Sequence, residues 1–324
     1  MAMSDLEPIA AVIEEYRLSL VKDTSGWFLF YLALFFLFFI LDVVYSSNGY
    51  LKLIGALFSA AGIANTLTQK QKKFSFLFKE LFITELFKKR FGNGVKYDPN
   101  NYIQKDYFIS SLLFQHKLQP DRYGGEDFIS ASVGGIDIKF SEVYAQYKQE
   151  YRTKGRKREI WIDIFRGVFV VTEFKKVAKL PVVVLPSSEK VVSLPWDKLK
   201  RVKLEDPEFE KLFDVWSKDQ IEARYILSIS LMQRMVEFYK KAKEKGFRPE
   251  IYFSFIGNKL FCALKPGFSG DFLRVPFYLS TSKRVLMSET HQLYIQEVEL
   301  ILSIIEELNL NLDIWALENV SNRL

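Results

Sequence analysis

Residues 26–45 read GWFLFYLALFFLFFILDVVY, an apolar run with no polar face. About 20 residues at roughly 1.5 Å per residue match the roughly 30 Å of a bilayer's hydrocarbon core, so the run predicts a membrane-spanning helix. Trp27, Tyr31 and Tyr45 stand at or near interfacial positions, and Asp42 lies close enough to the end to reach headgroup water. A buried core helix is the alternative, and lipid suits a helix without a polar face better. A signal peptide fits less well: the leading segment carries Glu14 and Glu15 rather than basic residues, and Ser46-Ser47-Asn48-Gly49 reads as a turn rather than a cleavage site.

Residues 50–67 predict a second span, interrupted by Lys52, Ser59 and Asn65. Lys52 can snorkel. Gly55, Ser59 and Gly62 share one helical face, a spacing that lets two helices approach closely in lipid. The two spans make a hairpin, which leaves both chain ends on one side. Lys70, Lys72, Lys73, Lys79, Lys88, Lys89 and Arg90 follow the second span, and basic flanks stay cytoplasmic, so both termini and the large remainder are expected in the cytosol.

Two helical arms flank the hairpin. Ser4 with Glu7 has capping-box spacing ahead of Ile9, Val12, Ile13 and Tyr16. After the hairpin, Phe74, Phe78, Leu81 and Phe82 mix with lysines, as in a helix lying on anionic lipid or one packed on the soluble domain.

Beyond Gly92-Asn93-Gly94 the period changes to two. Residues 128–133 and 136–140 flank Gly134-Gly135, a tight hairpin. Strands are expected over 159–174 with a bulge at Gly167, and over 182–185 and 191–194, with prolines 181, 186 and 195 as punctuation. Asp206-Pro207-Glu208 starts a short helix through Phe213. Asp219 and Glu222 have capping-box spacing, although a strand followed by a cap at Ser228 reads equally well. Leu231, Met235 and Phe238 mark a helix closed by Gly246, and residues 251–255 and 259–264 around Gly257-Asn258 read as a second hairpin. Tyr294, Val298, Ile301, Ile305 and Leu308 form the stripe of a C-terminal helix.

The expected fold is α+β: an N-terminal two-helix transmembrane hairpin, then a mainly antiparallel-sheet cytosolic domain with packed helices. Its divisions are 1–25 (amphipathic helix), 26–68 (hairpin), 69–92 (basic, Phe-rich helix), 93–285 (α+β domain) and 286–324 (C-terminal helix and tail).

Composition narrows the chemistry. The 324 residues are 49% apolar and 26% charged, which excludes wholesale disorder, and 45 Lys and Arg against 39 Asp and Glu leave only +6. One cysteine, Cys262, excludes an internal disulfide and reads as a buried strand residue; His116 and His291 are too few for a multi-histidine metal site. Gly92-Asn93-Gly94 is no dinucleotide loop, because Tyr97 stands where the third glycine belongs. No phosphate loop occurs, and Gly267-Phe268-Ser269-Gly270 lacks nucleophile-elbow spacing.

DRYGGEDFISASVGGIDIKFSEVYA at 121–145, IFRGVFVVTEFKK at 164–176 and RVKLEDPEFEKLFDVWSKDQIEARYILSISLMQRM at 201–235 resemble the bacterial domain-of-unknown-function 3137 family. FKELFITELFKK at 78–89 and the segment around Gly257 are similar too. The resemblance runs over 78–264; the tail after Phe272 departs from it. It implies a bacterial cytoplasmic-membrane protein with N-terminal spans, some relatives being encoded beside LemA-type membrane proteins. It implies no activity, catalytic residue, cofactor or metal.

Among scattered carboxylates that could serve acid/base work, Glu126 and Asp127 in one segment and Asp219, Glu222 and Arg224 in another are the first places to seek a functional surface; a turn, a cap and an ion pair are their structural alternatives. Arg152, Lys154, Arg156, Lys157 and Arg158 form the densest basic cluster, between two strands, and with Lys72 and Lys73 could face anionic lipid. Tyr151 is nearly the only aromatic there, which disfavours a nucleic-acid platform. The expectation is a non-enzymatic membrane protein whose cytosolic domain binds another protein, such as a LemA-type membrane neighbour. The alternatives are a membrane-bound hydrolase or ligand-binding enzyme using scattered acids, and a sensor of anionic lipid.

Overall fold

A computed structural model describes residues 7–45, 48–92, 94–114, 119–133, 135–153, 156–189, 199–244, 250–265, 272–279 and 291–307. Two compact units emerge: residues 1–86 with 275–293, and residues 87–274 with 294–324.

In the first unit, α1 (Glu7–Tyr45) is one unbroken helix of 39 residues. Pro8 sits in its first turn, where a missing N–H costs nothing, and no proline follows to break it. The helix therefore runs about 58 Å, well beyond a bilayer core. Ser4 lies outside the described residues. Gly49, at φ 88°, turns the chain into α2 (Tyr50–Phe78). A π-helical turn, Lys79–Ile83, leads on to α3 (Thr84–Phe91). The best apolar windows of α1 and of Tyr50–Lys89 have mean hydropathies of 2.5 and 1.3, with only 6% and 11% of their residues buried. Both helices are long and apolar enough to cross a membrane, and their exposure sets them apart from core helices.

The small-residue face of α2 meets α1 as its spacing predicts. A Cβ on Gly55 would fall 2.5 Å from Cβ of Phe38, and one on Gly62 would enter the Tyr31 ring. The Ser59 hydroxyl donates to the Tyr31 carbonyl at 3.1 Å. Asp42 is not in headgroup water: it is 4% exposed, 3.1 Å from Lys52 Nζ, and accepts the Leu51 N–H at 3.2 Å. Burying a lone carboxylate costs far more than pairing it, and Lys52 on the facing helix is the available cation.

Toward the other end, residues 275–279 lie along the helices. Arg17 donates to the Tyr278 carbonyl at 3.1 Å, Thr24 and Tyr278 share a hydroxyl hydrogen bond at 2.9 Å, and Gln71 both donates to Pro276 O and accepts from Tyr278 N. Phe74, Phe78 and Phe82 are fully buried, Phe78 stacking on Phe82. Protein, not lipid, covers that aromatic face.

The second unit holds β1 (Lys96–Asp98), α4 (Lys105–Ser110), β2 (Arg122–Val133), β3 (Ile136–Thr153), β4 (Arg156–Pro186), β5 (Lys200–Val202), α5 (Pro207–Leu212), β6 (Phe213–Ser217), α6 (Gln220–Ile226), α7 (Ile229–Glu244), β7 (Ile251–Leu264) and α8 (His291–Glu307). The seven strands form one antiparallel sheet ordered β1-β2-β3-β4-β6-β5, with β7 also on β4. Gly135, at φ 78°, closes the β2–β3 hairpin where the glycine pair predicts it.

Strand β4 is the spine: β3 pairs along its first half, β6 at its end, and β7 over 168–184. Two expected strands merge into it. Pro181 is tolerated because it falls at a register shift against β7, where no ladder N–H is required. The bulge expected at Gly167 lies instead at Ile164 of the same strand, the extra residue between the Ala145–Phe165 and Gln146–Asp163 pairs; Gly167 pairs in register with Val143. Nor do residues 251–264 fold back as a hairpin. Both halves of β7 pair with β4, and Gly257, at φ 59°, absorbs the irregularity opposite Ala178. A local fold-back would have left the long edge of β4 unpaired. The 191–194 strand and Gly246 lie outside the described residues.

Asp206 caps α5 by accepting from Glu208 N and Phe209 N. Asp219 caps α6, and Ser228 then accepts the Leu231 N–H at 3.4 Å, so the helical alternative holds at 219–226 and Ser228 serves α7. On one face of the sheet Phe108, Phe114, Phe165, Phe169 and Tyr252 build the core. Trp216 and Ser254 both stand opposite Val183, so they share a face, and Trp216 Nε1 and Ser254 Oγ are buried without a hydrogen-bond partner. Cys262 is buried in β7, and desolvation holds its thiol pKa well up, as an inert strand cysteine requires.

Candidate functional site

Three carboxylates, Asp127, Glu142 and Glu297, gather where β2 loses register with β3. The shift between Glu126 and Ile129 lets Asp127 adopt φ 60° and turn fully inward, where it accepts the Tyr97 hydroxyl at 2.5 Å. Glu142, opposite Glu126 on β3, is buried and accepts the Phe272 N–H at 3.0 Å. Glu297 of α8 accepts the adjacent Leu273 N–H at 3.1 Å. Glu126 itself is exposed.

The electrostatics follow from crowding. Desolvation and the Asp127 charge push Glu297 up to about 7, while its bond from Leu273 partly opposes them. A carboxyl poised there exchanges protons near neutral pH, the property of a general acid or base. Its surroundings, however, serve structure: two of these acids clamp consecutive backbone N–H groups, with Leu273 at φ 50°. The nearby 210 Å³ cavity, lined by Asn101, Tyr102, Phe128 and Lys139 among others, is lined by none of the three. No group of three or more metal-ligating side chains occurs among the described residues.

The second predicted cluster lies elsewhere, on α6, which packs on β4 and β6. Asp219 accepts the Ile221 N–H at 3.0 Å, and Glu222 accepts the Lys179 N–H at 2.7 Å. Arg224 bonds to Glu205 at 2.7 Å, to Gln220 and to the Lys203 carbonyl, rather than to Glu222. The Arg224 contact holds the Glu205 carboxyl below its usual range. These groups tie α6 to neighbouring backbone, and nothing brings them together with Asp127. Glu297 and Tyr97 were missed from sequence; Glu297 precedes Ile301 by four residues and Ile304 by seven, an acid on the apolar stripe that could have signalled it.

The basic cluster sits on a two-stranded ribbon. Strand β2 leaves β3 at Gln146 and β7 joins β4 only at Val168, so from 147 to 162 the two strands pair with each other alone among the described strands. Register puts Tyr147, Tyr151, Arg158, Ile160 and Ile162 on one face; Ile160 and Tyr151 are 41% and 39% exposed. The opposite face carries Lys148, Glu150, Arg152, Lys157, Glu159 and Trp161. There Lys148 meets Glu159 at 2.6 Å and Lys157 meets Glu150 at 3.3 Å, while Arg122 stacks 3.5 Å over Trp161. Acids thus offset part of the basic run. Lys154 and the side chain of Arg156 lie outside the described residues; Arg152, Lys157, Arg158, Lys72 and Lys73 are exposed.

Residues 163–310 match the family described as protein of unknown function, DUF3137. This part of the chain is similar to that family. The match takes in β4 from Asp163, all of β5 to β7, and α8 with Glu297, so it extends past Phe272 through the helix that looked separate from sequence. The similar segments at 78–89 and 121–145 precede the DUF3137 match. No curated protein matches the chain. A crystal structure of the mycobacterial trehalose monomycolate transport factor A, TtfA, aligns with 68% of this chain and 92% of that chain at 12% identity and a TM-score of 0.32. A likeness of that size carries no argument about fold or function.

Proposed function

We propose that this protein is a non-enzymatic adaptor anchored in the bacterial cytoplasmic membrane. The α1–α2 hairpin spans the bilayer, both termini lie in the cytosol, and the sheet domain holds a protein partner, itself possessing an acidic rim, at the membrane surface. One observation carries this reading: on the ribbon face that Arg158 borders, Tyr151 and Ile160 are exposed on a two-stranded arm, beside Gln149 and the half-buried Tyr147 and Ile162. Isolated ribbons gain little stability from their own pairing, so a long one with aromatic and β-branched side chains on an open face is better explained by a partner than by folding. A LemA-type membrane protein is the first partner to test.

The experiment is site-specific photocrosslinking in intact cells from position 160, with position 221 on α6 as an exposed control. A discrete protein adduct formed only from position 160, and abolished by Tyr151→Ser, supports the adaptor. Adducts to lipid alone would transfer the ribbon to anionic-lipid sensing through Arg152, Lys157 and Arg158, and equal labelling at both positions would refute a dedicated surface.

A further inference from the structure

We propose that the first unit retains one anionic phospholipid, its acyl chain lying in a groove between α1, α2 and residue 279. This rests on the membrane reading above and adds a ligand site to it. The groove encloses about 490 Å³ and is walled by Val21, Phe28 and Tyr31 of α1, Ile63 and Leu67 of α2, and Leu279. That volume falls within the range of small-molecule sites, and the lining is almost wholly apolar. Its lining includes Trp27, an interfacial residue type, next to the stretch of α1 that is apolar all round.

Three walls distinguish it from the ordinary surface of a spanning helix. The third is Leu279, whose neighbours Pro276 and Tyr278 are fixed by the bonds to Arg17, Thr24 and Gln71. Thr24, Ser25 and Thr66 are its polar lining residues.

Charge selects the headgroup. Within two turns along the chain from the groove's lining residues stand Lys22, Lys70, Lys72 and Lys73, Lys22 lining the neighbouring concavity that shares Trp27. Asp23, the acid adjoining Lys22, is already engaged by Lys70. The remaining lysines suit a phosphodiester carrying net negative charge, each nearby cation adding attraction to anionic lipid.

The test uses the full-length protein reconstituted in phosphatidylcholine vesicles containing a minor share of phosphatidylglycerol with a photoactivatable acyl chain. Labelled peptides are mapped by mass spectrometry. The expected result is enrichment of label at residues 21–31 and 63–67 over the lipid-exposed positions Phe36 and Leu57, lost in the groove-filling variant Ile63→Trp while label at Phe36 persists. Exchanging the probe for the same chain on phosphatidylcholine should reduce groove labelling, and Lys22→Gln with Lys73→Gln should erase that preference by roughly fivefold per charge. Even labelling along both helices, or groove labelling unchanged by Ile63→Trp, overturns the site while leaving the anchor intact. Failure of the chain to float with the vesicles overturns both. Should Ile63→Trp not fold, retention of phosphatidylglycerol through detergent washing, measured by native mass spectrometry on the unaltered chain, decides: none retained refutes the site.

Discussion

Replacing Glu297 by Gln gives the sharpest test of the buried carboxylate cluster. The amide keeps an oxygen to accept the Leu273 N–H, now at 3.1 Å, but no longer titrates. Glu297 is raised from 4.5 to about 7 by desolvation first and Asp127 second. With the folded pKa above the unfolded one, the folded state binds the extra proton, so the contribution is full below about 4.5 and is lost as pH climbs through 7. At about 1.36 kcal/mol per unit, the loss between pH 5 and pH 8 is about 2.5 kcal/mol, an upper figure because Glu297 is only half-buried. Urea unfolding of the full chain in detergent micelles, followed by tryptophan fluorescence, measures it. Relative to the unaltered protein, Glu297→Gln should gain up to about 2.5 kcal/mol between those pH values. A difference that stays flat from pH 5 to pH 8 would refute the raised carboxyl and the crowding that explains it. Asp127→Asn should shift the transition to lower pH, since one of its two causes is removed.

Ser254→Ala should stabilise the sheet domain by about 1 kcal/mol in the same unfolding assay, because it deletes a buried hydroxyl with no partner; destabilisation would reveal an unseen bond. Gly55→Leu should separate the hairpin, costing about 1–3 kcal/mol, since its side chain would run into Phe38 of α1; undiminished disulfide trapping between α1 and α2 cysteines would contradict that packing. Asp42→Asn should lower the thermal stability of the detergent-solubilised protein by leaving Lys52 without its carboxylate, and Asp42→Asn with Lys52→Met should recover it. A double variant no better than the single would show that the pair is not coupled.

Local chemistry was legible wherever it acts over a few residues. The apolar run at 26–45, the Gly55, Ser59 and Gly62 face, the Gly135 turn and the Asp206 and Asp219 caps are each determined by side chains within one or two turns of one another, and the helices and hairpin formed where those signals stand. The family resemblance was equally readable, since ordered motifs survive without knowledge of contacts.

What joins distant segments was not. Gly257 marks an irregularity in either a hairpin or a long bent strand; only the unpaired edge of β4 decides for the strand. Asp42 reads as a terminal charge until Lys52 faces it from the other helix. Asp127, Glu142 and Glu297 are far apart along the chain, and their meeting arises from a register shift and a returning helix. Periodicity specifies which face of an element is apolar, because that depends on side chains a few residues apart. Which partner covers the face, and which buried charge meets which donor, depends on desolvation summed over segments that meet only after folding.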